Sequence, residues 1–288
     1  MKRLHLILIV LAVLAAAANS GRVEHAAAPD DKANIDDIVK KHLQSIGTEE
    51  ARDKVKSRVI AGMTDVTFRA RGVATIQGGA VLASEGPRNI VTMRFEATQY
   101  PYEKIGYDGN KVGAYQIRPG EYTSLGAFAK ANPVLLKEGL IGGTLSSAWA
   151  LNDVASRKPK LEYGGTRKID SRQVIELRYL PHGGSDLKIS LFFDAETYQH
   201  VRTVYSRTMS PQMGRTVDES ARMTETRYEL VEDFSDFKAE NGLMLPHTYK
   251  IRLTQTGTAT QVSEWNMTLL KFNFNQTVDA KDFDVSGE

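Results

Sequence analysis

Apolar and polar residues alternate one by one over several short stretches of the chain. In the segments 66–71, 91–96 and 175–179, every second residue is apolar. A period of two places successive side chains on opposite faces of a β-strand. Each segment is therefore predicted to be a strand with one face in the core and the other toward solvent.

Turn-forming residues separate neighbouring strands at short intervals. Asp108-Gly109-Asn110, His182-Gly183-Gly184 and Asn241-Gly242 each lie between two segments with strand character. These residue types favour tight turns, and strands joined by short turns pair antiparallel. The sequence thus predicts an antiparallel meander.

Helical spacing replaces the period of two in two places. Apolar residues between Ile35 and Ile46 recur every three or four positions, with Asn34 as the predicted N-cap and Gly47 as the predicted end. A short second helix is expected to follow. Residues 122–154 show similar spacing with breaks, which predicts several short helices. The predicted fold class is α+β, a long antiparallel sheet with helices on one side.

The first twenty residues are typical of a secretory signal peptide. Lys2-Arg3 precede an apolar run, and Ala18-Asn19-Ser20 form a small-x-small cleavage site. The apolar run is shorter than the roughly 20 residues of a membrane-spanning helix, so a transmembrane anchor is the less favoured alternative. Residues 21–34 are predicted to be a flexible lead-in, and residues 35–288 a single domain.

Composition and charge narrow the classes of function. The chain has 288 residues, of which 41% are hydrophobic, so it can bury a core. It has 37 Lys and Arg and 35 Asp and Glu, and loss of Lys2 and Arg3 with the signal peptide makes these totals equal. A balanced charge argues against binding to nucleic acid or anionic membranes. Without cysteine, lipid attachment, disulfides and thiolate chemistry are excluded, and the mature protein is expected to be soluble and not membrane-spanning.

Side-chain patterns typical of catalysis or metal binding are absent from the sequence. The histidines outside the signal peptide are His25, His42, His182, His200 and His247. They are far apart in sequence, and no H-x-x-x-H pair typical of zinc occurs. No G-x-S-x-G motif supports a hydrolase. Neighbouring carboxylates such as Glu232-Asp233 are interpreted as solvated charges. The sequence therefore predicts no catalytic residue, no metal and no cofactor.

The stretch FFDAETYQHVRTVYS, residues 192–206, is predicted to be a hairpin. Its turn is expected at Asp194 to Thr197, because Asp and Thr side chains bond their own backbone in turns. On the second strand, Tyr198, His200 and Arg202 are expected on one face and the intervening residues on the other. This alternation indicates the wall of a sheet rather than a catalytic site.

The long apolar faces of these strands leave two interpretations open. Helices could cover the face completely and make it an ordinary core. Alternatively, the sheet could curl and leave a hydrophobic cavity that binds a ligand. The residues by themselves favour the first interpretation.

Several segments resemble the LolA-like periplasmic proteins, the outer-membrane lipoprotein-sorting family. Residues 35–64 resemble the helix-then-strand opening of the family, and YDGNKVGAY at 107–115 resembles its hairpin on Asp-Gly. Residues 191–205 are similar to its strand-turn-strand unit, and 237–253 with 272–285 to its late segments. These are structural patterns that cover most of the chain after the lead-in. The connection 207–225 is longer than in a minimal carrier of this kind.

The resemblance implies a strongly curved antiparallel sheet, an incomplete barrel, with short helices lidding a cavity for acyl chains. The implied protein is a periplasmic carrier of a lipid or acylated lipoprotein, without covalent catalysis, which exchanges cargo with inner- or outer-membrane proteins. The alternative is an envelope sensor or interaction module that binds a membrane or regulatory protein through the same sheet. The residues expected to contact lipid are Val66, Phe68, Val91, Met93, Phe95, Trp149, Ile189, Leu191 and Phe193.

Overall fold

β-Strands make up most of the described part of the chain, which comprises residues 31–70, 72–210 and 225–285 of a computed structural model. The strands are β1 Ser57–Arg69, β2 Val73–Glu85, β3 Arg88–Phe95, β4 Tyr102–Tyr107, β5 Val112–Ala114, β6 Gln116–Arg118, β7 Glu121–Tyr122, β8 Lys160–Ile169, β9 Arg172–Leu180, β10 Lys188–Asp194, β11 His200–Met209, β12 Thr226–Glu240, β13 Leu243–Thr256 and β14 Thr260–Phe274. The helices are α1 Asp31–Ile46, α2 Glu49–Asp53, α3 Ser124–Ala131, α4 Val134–Lys137 and α5 Val154–Arg157, with short 3₁₀ helices at Gly143–Leu145, Ala150–Asp153 and Ala280–Phe283. The predicted signal peptide, the first ten residues of the lead-in and residues 211–224 lie outside the described residues.

Twelve of these strands form one curved antiparallel sheet that does not close into a barrel. Their order is β5-β4-β3-β2-β1-β14-β13-β12-β11-β10-β9-β8. Neighbours in the sheet are also neighbours in sequence except at one place, where β1 pairs with β14. The predicted meander is therefore confirmed within each half, and the β1–β14 ladder joins the two halves.

The predicted turns are confirmed. Asn241 and Gly242 connect β12 to β13 as a two-residue turn, and both have positive φ, 51° and 79°, as the favoured hairpin turn requires. Between β4 and β5, the side chain of Asp108 accepts hydrogen bonds from the backbone N–H groups of Asn110 and Lys111 at 2.7 and 2.8 Å.

Both predicted helical regions are also confirmed, with one correction at the N-terminus. Helix α1 ends at Ile46, as predicted, but it begins at Asp31. Asn34 therefore lies inside the helix and is not its N-cap. The extension has a physical reason, because Lys32 and Ala33 are favourable helix formers.

Residues 124–157, which we name the covering segment, contain the predicted series of short helices. The covering segment lies in sequence between β5 and β8, the two edge strands of the sheet. It packs against one side of the sheet, here called the inner face, together with α1. Its buried apolar side chains include Leu125, Leu136, Leu140 and Leu145, and they belong to the main hydrophobic core.

A β-bulge changes the predicted faces of the 192–206 hairpin. Phe192 pairs with Arg202 but Phe193 pairs with His200, so Val201 is an extra residue. His200 is buried on the inner face, whereas Arg202 lies on the outer face. The prediction that these two side chains share a face is therefore wrong. The predicted turn at Asp194 is confirmed, but it extends to Tyr198, whose φ is 58°, so Tyr198 is not part of β11.

Candidate functional site

Of the nine residues predicted to contact lipid, eight lie in the main hydrophobic core and Phe68 packs against it. Eight are buried and Phe68 is partly buried. Val66 and Phe68 lie on β1, Val91, Met93 and Phe95 on β3, Ile189, Leu191 and Phe193 on β10, and Trp149 in the covering segment. In this structure the covering segment packs over the inner face, and the role of these nine residues in binding lipid stays a prediction.

One group of these residues surrounds Tyr100 and is named the Tyr100 cluster. The rings of Phe68 and Phe95 lie 5.0 and 5.2 Å from the ring of Tyr100. The Tyr100 hydroxyl accepts a hydrogen bond from Trp265 Nε1 at 3.0 Å and donates one to the buried carboxylate of Glu103. The cluster therefore contains an ionisable group inside an aromatic environment.

Glu103 is held by two hydroxyl groups. Besides Tyr100, the Thr123 hydroxyl donates to Glu103 Oε1 at 2.7 Å, and the same Thr123 side chain caps helix α3. Burial raises the pKa of Glu103 to about 7. This carboxyl group thus connects the sheet to the start of the covering segment.

A second group surrounds two histidines and is named the histidine cluster. Trp149 Nε1 donates a hydrogen bond to His42 Nε2 at 2.9 Å. Because His42 Nε2 accepts, Nδ1 carries the proton and donates to the carbonyl oxygen of Tyr198, 3.0 Å away. Burial lowers the pKa of His42 to about 4, so the ring is neutral at neutral pH. Phe193 packs against it with ring centroids 4.6 Å apart.

His200 is the other histidine of this cluster. Its ring stacks on Trp149 with centroids 4.7 Å apart, and its Nε2 lies 2.8 Å from the Thr203 hydroxyl. Among the described residues, its buried Nδ1 has no hydrogen-bond partner. Burial lowers the pKa of His200 well below its ordinary value. The two histidines therefore act as neutral rings that position Trp149.

The Gly142-Gly143 turn brings the covering segment onto the sheet. Both residues have positive φ, 80° and 49°, a conformation that glycine adopts without strain. The N–H of Gly142 donates to Glu232 Oε1 at 2.8 Å. A Cβ atom on Gly143 would lie 2.7 Å from His200 Nδ1, so only glycine allows this close approach.

Glu232 on β12 is fully buried beneath that turn. It accepts hydrogen bonds from the Tyr205 hydroxyl at 2.6 Å and from the Tyr249 hydroxyl. Burial raises its pKa to about 7. The interpretation of Glu232 as a solvated charge is therefore wrong: it shares the inner face with Leu230 and Phe234, two residues to either side. Because apolar residues lie two positions before and after it, the sequence could have indicated that Glu232 is buried.

Arg58 provides another polar attachment of the covering segment. It is buried, and its guanidinium donates to the carbonyl oxygen of Thr144 and lies 3.5 Å from that of Ser146. Among the described residues, no carboxylate oxygen lies within 4.0 Å of it. Nearby, the N–H and hydroxyl of Ser147 approach the Ser84 hydroxyl to 2.8 and 3.0 Å.

These polar groups connect the covering segment to the sheet. Glu103 and Glu232 each bond hydroxyl groups in separate surroundings. In the described ranges, no group of three His, Asp or Glu side chains could hold a metal ion. Within the same ranges, none of the helices is long and apolar enough to cross a membrane.

Several solved structures are similar to this chain. No protein-family model matches the chain, and no curated protein matches it. A LolA superfamily protein from Nitrosomonas europaea has a similar structure, with 12% identity, a TM-score of 0.47 and coverage of 86% of this chain and 96% of that chain. A domain described as an outer membrane lipoprotein-sorting protein, from Vibrio parahaemolyticus, has 15% identity, a TM-score of 0.45 and coverage of 86% and 96%. A DUF1329 family protein from Desulfovibrio piger has 10% identity, a TM-score of 0.38 and coverage of 88% and 98%.

Proposed function

We propose that the protein is a periplasmic carrier that shields the acyl chains of a lipid or lipidated protein on the inner face of its sheet, without a covalent step. The observation that carries the proposal is the covering segment, a single connection between the two edge strands that packs over an apolar face. In the proposed cycle the covering segment moves aside and an acyl chain takes its place. Export follows from the predicted signal peptide.

The construction of the covering segment supports such a movement. Helix α3 has eight residues, and α4 and α5 have four each. Helices this short depend on packing rather than on their own propensity. Gly139, Gly142 and Gly143 interrupt them with positive φ. The segment can therefore rearrange without loss of the strands beneath it.

The energetics suit a carrier that must release its cargo. Burial of an acyl chain contributes about 0.8 kcal/mol per CH₂. The incoming chain would displace side chains such as Leu140 and Leu145 that are already buried, so the net gain per CH₂ is smaller. Binding is then reversible, and a membrane acceptor can take the cargo.

The first test is native mass spectrometry, with organic extraction, of the protein purified from the periplasm of its own host. We expect a bound lipid or acylated peptide that extraction removes. Protein that carries no such cargo would contradict the carrier role.

A disulfide lock tests the movement directly. Because the chain has no cysteine, Ser84→Cys with Ser147→Cys introduces one unambiguous pair, at positions where the two hydroxyl oxygens are 3.0 Å apart. We expect the oxidised variant to lose uptake of an acylated peptide, the cargo of the proposed cycle, and the reduced variant to regain it. The single variant Ser84→Cys is the control. Equal uptake by the oxidised and reduced forms would exclude displacement of the covering segment.

A separate observation supports the alternative, an interaction module for a membrane or regulatory protein. Met63, Val81 and Leu270 lie on the neighbouring strands β1, β2 and β14 and are 58%, 41% and 65% exposed. Exposed apolar side chains that lie together favour contact with another protein. If this role is correct, Leu270→Asp disrupts a complex with that protein. The carrier role predicts unchanged cargo uptake by the same variant.

A further inference from the structure

A pocket opens where the hairpin of β9 and β10 splays apart. The ladder between these strands ends with Arg178 opposite Ser190, while β9 continues beside β8 as far as Leu180. Residues 181–187 bridge the gap. The resulting space, named the hairpin pocket, has a volume of about 790 Å³, within the range of sites that hold small molecules.

The wall of the hairpin pocket is largely apolar. It includes Tyr179, Leu180, Pro181, Leu187 and Ile189. Leu180 is 38% exposed, whereas the other four are buried. Ile189 is one of the residues predicted to contact lipid. Leu180 therefore supplies the apolar surface that an aliphatic ligand would remove from water, and the four buried residues form the packed layer behind it.

The rim of the hairpin pocket carries an excess of positive charge. Lys158, Lys160, Arg178 and Lys188 line it, against the single carboxylate of Glu162. Lys160 forms an ion pair with Glu162 at 2.6 Å. In the described part of the chain, neither Lys158 nor Lys188 has a carboxylate oxygen within 4.0 Å. The rim therefore has at least two ammonium groups without a charged partner.

Two carboxylates close to the hairpin pocket are already engaged elsewhere. Glu176 pairs with Arg167 and accepts a hydrogen bond from the Ser190 hydroxyl at 2.7 Å. It lies 3.8 Å from Arg178. Asp186, in the connecting loop, lies 3.5 Å from Arg207. Glu176 thus offsets part of the charge of Arg178, and, among the described residues, the positive charge left without a carboxylate partner at the rim is that of Lys158 and Lys188.

We propose that the hairpin pocket binds an anionic amphiphile, a single aliphatic chain with a carboxylate or phosphate headgroup. The chain lies along the apolar wall, and the headgroup accepts charge-assisted hydrogen bonds from Lys158, Lys188 and Arg178. The pocket is open without any movement of the covering segment. The proposal therefore does not depend on the carrier function.

Isothermal titration of the full protein with chosen probes tests this assignment. Oleate and dodecyl phosphate carry both features, oleyl alcohol has only the chain, and inorganic phosphate has only the charge. We expect one oleate or one dodecyl phosphate per protein. Oleyl alcohol should bind at least about tenfold more weakly, the scale of one lost charge-assisted hydrogen bond, and inorganic phosphate more weakly still, because it lacks the aliphatic chain. The tighter of the two amphiphiles identifies the headgroup.

Matched variants locate the site. Lys188→Glu is compared with Lys168→Glu, which makes the same charge change on an exposed residue. Lys168 lies near the end of strand β8 that is farther along the strand from the pocket residue Lys160. Leu180→Asp is compared with Leu270→Asp, also at an exposed leucine. We expect Lys188→Glu and Leu180→Asp to weaken oleate binding about tenfold, and their controls to leave it unchanged.

The disulfide-locked protein separates this site from the inner face. Oleate binding that persists in the oxidised Ser84→Cys, Ser147→Cys protein supports the hairpin pocket, whatever the outcome for the carrier function. Binding that disappears on oxidation would place the ligand on the inner face and overturn the proposal. Equal affinity for oleate and oleyl alcohol, or equal loss in Lys168→Glu and Lys188→Glu, would also overturn it.

Discussion

Glu232 and His42 are buried groups whose ionisation affects stability in opposite directions. Burial raises the pKa of Glu232 to about 7 from 4.5 and lowers that of His42 to about 4 from 6.5. The contribution of Glu232 to the free energy of unfolding is fully present below pH 4.5. It is lost as pH rises toward 7, because the folded state binds more protons than the unfolded state between these two pH values. The His42 contribution is lost as pH falls from 6.5 toward 4. In the wild type the two effects partly cancel between these limits.

Comparison with Glu232→Gln isolates one of these effects. The variant keeps a side chain of the same shape but cannot ionise. We expect the free energy of unfolding of the wild type, relative to the variant, to fall as pH rises from 5 to 8, by up to about 3 kcal/mol. Urea unfolding at several pH values measures the difference. Glu196→Gln, in an exposed turn, controls for loss of a glutamate charge, and a difference curve for Glu232→Gln that is flat in pH would contradict the prediction.

At the scale of the residue, alternation determined which side chains lie inside but not what they bond. Met93, Leu191 and Phe193 were expected on the apolar face of the sheet, in contact with lipid, and they lie buried on its inner face. Glu103 and Glu232 also occupy inner positions, but their partners come from distant strands and from the covering segment. A carboxylate that is neutralised by tertiary hydrogen bonds has no local signature. The two central histidines were hidden for the same reason.

At the scale of the element, Arg58 fixes the covering segment to β1. Its guanidinium bonds carbonyl oxygens of Thr144 and Ser146, and burial lowers its pKa to about 10. A buried cation held by carbonyl groups costs desolvation energy. Removal of the guanidinium relieves that cost but also removes the hydrogen bonds to Thr144 and Ser146, so it should loosen the segment without unfolding the strands.

The prediction concerns Arg58→Leu. We expect backbone amides between residues 142 and 149 to exchange about tenfold faster, because the segment loses its attachment worth roughly 1.5 kcal/mol. Hydrogen exchange followed by mass spectrometry resolves this region from β12 and β13, where protection should stay the same. Arg69→Leu, at the exposed end of the same strand, is the control. Unchanged exchange in 142–149 would show that the segment is held by apolar packing alone.

Periodicity predicted which segments are helices and which are strands, but it did not predict how the strands pair. The short helices within 122–154 and the hairpin at Asp194 were predicted because their spacing and turn residues are local. The bulge at Val201 was missed because it depends on pairing with β10, and it reverses the face of Arg202 relative to His200. The pairing register depends on both β10 and β11, so the pattern of β11 alone does not predict it.

At the scale of the whole molecule, the ladder between β1 and β14 joins the first half of the sheet to the second. This pairing brings together residues about two hundred positions apart, and no turn signal marks it, so the sequence did not predict it. The register shifts between Ala61 and Gly62, where Gly62 faces Leu269. A Cβ atom on Gly62 would lie 2.1 Å from the carbonyl oxygen of Thr268. Only glycine therefore allows the strands to approach this closely.

Gly62→Ala tests whether the two halves unfold together. The added methyl group forces the ladder apart at its bulge, and we expect a loss of about 2 kcal/mol in the free energy of unfolding. Gly79→Ala is the matched control on β2, because the nearest atom to its added Cβ is 3.8 Å away. Trp149 reports on the covering segment and Trp265, opposite Val66, on the ladder itself. The unfolding midpoints followed by tryptophan fluorescence and by far-ultraviolet circular dichroism should then shift together to a lower urea concentration. Two separate unfolding transitions in Gly62→Ala would mean that each half of the sheet is stable without the other. Equal stability of Gly62→Ala and Gly79→Ala would mean that the ladder tolerates the extra atom.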